Sequence, residues 1–198
     1  MEQELFKGFI KGSVLLAAVI VLIACSPKLN WRTVQSPDQR YIAQFPGKPD
    51  KLERLIPYQG QEIKQTLEAV KIDDDIYSIS SIRFDANQAS LNQKIIEQLQ
   101  SNLLDRARAS GGNVLIEDSM IHAANSQRIP AKDYFITFGL NGKVQQSMRV
   151  RWIVRPIEGG GNWIYQVSVL HTNTETSDAK ALLSKEEYSN FFSEFHPE

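Results

Sequence analysis

Apolar and polar positions alternate with strand period over most of the chain. Trp31-Arg-Thr-Val-Gln35 and Arg40-Tyr-Ile-Ala-Gln-Phe45 read as short strands parted by Ser36-Pro37-Asp38-Gln39, a turn by composition. Pro46-Gly47-Lys48-Pro49 stops the second. Residues 52–58 and 62–72 pair across Gln59-Gly60-Gln61, and Asp73-Asp74-Asp75 leads into a strand at 76–84. Further strands are predicted at 113–121, 131–140, 143–155 and 162–171.

The period changes at 90–110. Leu91, Ile95, Leu99, Leu103 and Ala107 recur every four residues, widened by Ile96 and Leu104, which is the apolar stripe of a helix. Ser90 with Gln93 fits a capping box, and Gly111-Gly112 supplies the stop. A second helix is predicted at 184–195, with Ser184 and Glu187 as capping pair and Tyr188, Phe191, Phe192 and Phe195 on one face. The order β-rich, helix, β-rich, helix predicts an α+β domain, an antiparallel sheet flanked by helices.

One hairpin can be read to its register. A three-residue loop, Leu140-Asn141-Gly142, matches Phe138 to Val144, Tyr134 to Met148 and Asp133 to Arg149, with Gly142 left-handed. Arg149, Arg151 and Arg155 then alternate with Val150, Trp152 and Val154 and form a basic stripe on the polar face. Trp163, Tyr165, Val167 and Val169 join the apolar face, and Gln166 and Ser168 fall beside Arg151 and Arg149.

At the start of the chain an apolar run from Val14 ends in Leu22-Ile23-Ala24-Cys25, after Lys7 and Lys11. About ten residues is too short for a lasting membrane span, which needs roughly 20. Cys25 is the only cysteine. The pattern resembles the lipobox of bacterial lipoproteins. That resemblance implies a signal peptide over 1–24, removed on processing, diacylglycerol and palmitate on Cys25, and a tether over 25–30 before one domain at 31–198. Ser26 stands where aspartate would signal inner-membrane retention, so the implied address is the outer membrane, facing the periplasm. Positions 1–24 hold two acidic and two basic residues, so totals of 23 and 22 become 21 and 20. A net charge of −1 gives no support for nucleic-acid binding.

Little in the remaining chain points to chemistry. His122, His171 and His196 lack metal-ligand spacing, and Asp73-Asp74-Asp75 lacks the alternating ligands and closing glutamate of a calcium loop. Gly159-Gly160-Gly161 lies between strands without the lysine of a phosphate loop, and there is no Gly-x-Ser-x-Gly elbow. The expectation is a non-enzymatic protein without metal or cofactor.

Trp31, the Ser36-Pro37-Asp38 turn, Phe45-Pro46-Gly47-Lys48-Pro49, the central helix, Ile129-Pro130-Ala131 and the closing Phe191-Phe192-Ser193-Glu194-Phe195 together resemble the PsbP-like fold, which includes DcrB-type envelope lipoproteins. The resemblance implies an α/β/α sandwich over residues 31–196 and brings no catalytic residues. Two functions stay open. One is an accessory module that docks an envelope partner through Arg149, Arg151 and Arg155. The other is a small-molecule or lipid-binding lipoprotein with an apolar pocket between helix 90–110 and the sheet.

Overall fold

A computed structural model describes residues 29–58, 60–174 and 176–198. Cys25, the apolar run before it and most of the tether lie outside the described residues. Trp31–Glu198 forms one compact unit. The three apolar clusters of the described residues all lie within it, so this unit carries a core of its own.

Two antiparallel sheets make up the unit. The small one has the order β1-β2-β10: β1 (Arg32–Ser36), β2 (Tyr41–Phe45) and β10 (His196–Pro197). The large one has seven strands in the order β3-β4-β5-β9-β8-β7-β6. They are β3 (Asp50–Tyr58), β4 (Gln61–Ile72), β5 (Asp75–Phe84), β6 (Val114–His122), β7 (Arg128–Leu140), β8 (Lys143–Pro156) and β9 (Asn162–Thr172). Three helices complete it: α1 (Ala89–Ala109), α2 (Ala179–Leu183) and α3 (Glu186–Ser193).

This corrects the expected fold class. Strands hold 54% of the described residues and helices 23%, so the protein is mostly β and not a helix-flanked α/β/α sandwich. Two things overturn the expectation. The ends of the chain meet, with β10 pairing with β2 to make a second sheet. The closing helix also breaks in two: Ser184 caps the C-terminus of α2, and α3 starts after Lys185. Directly after the expected helix end, His196 sits in β10. Asp178 caps α2, accepting from Ala181 N at 2.8 Å.

α1 crosses one face of the large sheet obliquely. Ile95, Ile96 and the half-buried Leu91 and Leu99 pack on Ile63, Ile82, Phe84 and Ile164. Further along, Leu103, Leu104 and Ala107 pack on Tyr134, Ile136, Val150 and Trp152. The predicted stripe is therefore core. The N-cap position of α1 is Gln88 rather than Ser90. On the other sheet face, Tyr77, Ile79, Ile153, Tyr165, Val167 and Val169 meet β2 and the aromatic set Tyr188, Phe191, Phe192 and Phe195.

Both long hairpins depart from the expected pairing. Leu140 pairs with Lys143, so the loop is two residues, Asn141 and Gly142, with φ of 53° and 75°. Two left-handed residues suit the tight turn whose twist matches its strands. A bulge between Phe138 and Gly139 then moves the register, so Tyr134 faces Val150 and Asp133 faces Arg151. Across β8–β9 the phase is the reverse of that expected. Val150 faces Ser168 and Arg151 faces Val167, placing the arginines on the face of Tyr165, Val167 and Val169. Both faces of these strands are covered, so alternation alone did not say which apolar set belonged together.

Gly112 joins α1 to β6 where a Cβ would stand 1.8 Å from Thr137 O. Asn113 N donates to Thr137 Oγ1 at 2.8 Å and Thr137 N to Asn113 O at 2.9 Å, so the chain is held tightly there. Gly112→Ala is expected to cost more than about 2 kcal/mol through forced separation of α1 from β7. Gly111→Asn, at φ 75° with open space around its Cβ, should cost under about 1 kcal/mol. Denaturant unfolding measures both, and equal losses would refute the close crossing.

Candidate functional site

Arg149 and Arg151 are 9% and 5% exposed. They do not form a docking surface, because α2 and α3 lie over them. Asp133, 4% exposed, receives both guanidinium groups. Arg149 donates to Asp133 Oδ2 from Nε at 3.1 Å and from Nη2 at 2.5 Å. Arg151 donates to Oδ1 from Nε at 2.5 Å and to Oδ2 from Nη2 at 2.8 Å. The remaining donors reach backbone at two helix ends: Arg149 Nη1 meets Leu183 O at 3.3 Å, and Arg151 Nη1 meets Phe192 O at 3.1 Å. Helix C-terminal carbonyls lack intrahelical partners and carry partial negative charge, so they offset the second cation. Phe192 adds its ring face, 4.1 Å from Arg149 Cζ.

Burial by itself would raise the Asp133 carboxyl, but hydrogen bonding and charge from Arg151, then Arg149, hold it below the usual carboxylate value. Arg155 differs from the other two. It is half-buried at the sheet end, donating to Gln127 Oε1 at 2.6 Å and to Glu198 O at 3.4 Å.

A serine, a histidine and an aspartate also share one row, an arrangement missed in the sequence because register created it. Ser147 faces His171 across β8–β9, and Asp75 faces His171 across β5–β9. His171 Nδ1 lies 2.7 Å from Asp75 Oδ1, and Tyr188 OH donates to the same carboxylate at 3.1 and 3.2 Å. Ser147 is fully buried, with Oγ lacking a hydrogen-bond partner. No substrate carbonyl can approach a hydroxyl at 0% exposure, so the row is a packing contact that fastens α3 to the sheet end.

An accessible cavity lies on the α1 face, in the corner that the oblique helix leaves bare. It is an open groove of about 790 Å³ between Gln100 of α1 and strands β6, β7 and β8. Its floor is apolar: Met120, Pro130, Tyr134, Trp152 and Val154. Met120 and Val154 are 44% and 39% exposed, high for large apolar side chains on a sheet face. Arg128, Lys132, Arg155 and Asp118 stand at the rim. Trp152 stacks edge-on against Tyr134 at 4.9 Å, and its Nε1 is buried without a partner.

No protein-family model and no curated protein matches the chain. These comparisons lend no support to the expected resemblance to PsbP-like proteins. Among the described residues there is no group of three or more His, Cys, Asp or Glu placed to hold a metal, and no helix long and apolar enough to cross a membrane.

Asp133→Asn should cost about 3–5 kcal/mol, since it strands two buried cations. The pH dependence follows from the lowered carboxyl. Its contribution is complete above the unfolded value near 3.8 and is lost as pH falls through the lower folded value. In Asp133→Asn the fall in melting temperature below about pH 4 should flatten. An unchanged acid limb would show that this carboxylate is not the group lost.

Proposed function

We propose that this protein is a lipid-anchored, periplasm-facing lipoprotein of the bacterial outer membrane that binds an apolar ligand without catalysis. The observation that carries the reading is the groove. A concavity of about 790 Å³ with an apolar floor and a few polar groups at its rim has the dimensions of a small-ligand site, ordinarily about 300–1,000 Å³. Its position differs from that expected, since Leu91, Ile95 and Leu99 fill the core and the cavity opens beside α1. The alternative of partner docking through the arginine stripe loses its support with Arg149 and Arg151 buried. The lipobox-like Leu22-Ile23-Ala24-Cys25 supports the anchor.

Two experiments test this. Cys25→Ala should release a folded protein from the membrane fraction, whereas retention after a high-salt wash would refute the anchor. Val154→Asp places a charge on the groove floor at a position already 39% exposed. It should abolish uptake of an uncharged alkyl probe while shifting the melting temperature by only a few degrees. Undiminished uptake would place the ligand elsewhere.

A further inference from the structure

We infer that the groove takes one anionic amphiphile at a time, its alkyl chain on Met120, Pro130 and Val154 and its headgroup on Arg128 and Lys132. This rests on the groove being the binding surface and adds the chemical class of ligand. Arg128 and Lys132 lie four residues apart on β7, about 13 Å at strand rise, and so bracket Pro130 on the groove face. Both are exposed, and neither side chain makes a hydrogen bond or ion pair among the described residues. Their charges are thus unused by the fold, unlike those of Arg149 and Arg151. Both side chains are long enough to converge on one anion above the proline.

Asp118, directly across from Lys132, opposes this charge, yet no described ion pair joins the two. With Arg155 at the same rim, positive charge remains in excess. A third group points the same way. Trp152 is the cross-strand partner of Lys132, and its indole N–H is buried with no acceptor. An unpaired buried donor is costly, and an oxygen of the headgroup would satisfy it after a small movement of the wall. Arginine adds a planar fork that suits carboxylate and phosphate oxygens. A concave floor fits one chain rather than a bilayer surface, which meets protruding residues.

The test uses the Trp31–Glu198 unit with a dansyl-tagged undecanoate and its uncharged methyl ester, read by dansyl fluorescence. The anion should bind about tenfold more tightly than the ester. Arg128→Gln with Lys132→Gln should erase that preference and leave the ester's affinity unchanged. Val154→Asp should abolish binding of both. Equal affinity for anion and ester, or a preference that survives the double replacement, would overturn the ligand class while the groove stands. If neither probe binds, the functional reading falls as well. Sedimentation with phosphatidylglycerol vesicles supplies the remaining arm. No retention is expected, and retention that disappears in Arg128→Gln/Lys132→Gln would overturn single-molecule capture in favour of a membrane surface.

Discussion

One buried carboxylate between two guanidinium groups organises this domain. Asp133 on β7 accepts from Arg149 and Arg151 on β8, and the same arginines reach Leu183 O and Phe192 O near the ends of α2 and α3 and Ser119 Oγ on β6. The cluster therefore fixes two strands, an edge strand and both C-terminal helices with charge-assisted bonds at low dielectric. Such bonds contribute only when every member is satisfied, because an unpaired buried charge is costly. The ring of Phe192 lies over both guanidinium groups and that of Phe135 over Arg149, which helps keep water out.

A second buried carboxylate does for the small sheet what Asp133 does for the helices. Glu68 of β4 accepts from Ser36 Oγ and Tyr41 OH, each at 2.8 Å, so β1 and β2 are keyed to the large sheet. Burial, then the Glu68 charge, pushes the Tyr41 phenol well above its ordinary value, which keeps it protonated as the donor. Tyr165 OH completes the joint, within 2.9 Å of Gln39 O and 3.0 Å of Arg40 O.

With one sheet face committed to this packing, the proposed binding groove falls to the other. A single helix cannot cover seven strands when it crosses them obliquely. Its stripe covers β4–β5 at one end and β7–β8 at the other, and the bare corner holds Met120, Pro130 and Val154. The apolar floor and the unused cations Arg128 and Lys132 thus arise from the angle of α1, which also explains why they sit beside the helix rather than beneath it.

The sequence by itself determined the local structure. Strand positions and the span of α1 follow from side-chain period, which acts over a few neighbours, whereas the length of the loop at Asn141-Gly142 does not. It also carried the lipobox-like segment around Cys25, which lies outside the described residues. Tertiary structure decided everything that depends on which surfaces meet. Arg149 and Arg151 looked like a solvated stripe because a strand pattern cannot say whether its polar face is covered, and α2, α3 and Asp133 cover it. The expected helix ran on to Phe195 because the pairing of His196 and Pro197 with β2 joins residues more than 150 positions apart. The bulge beside Gly139 shifted a register that the apolar pattern fixed only to face. The groove was illegible for the same reason, since Met120, Arg128, Lys132 and Val154 become neighbours only when β6, β7 and β8 align and α1 leaves their corner open.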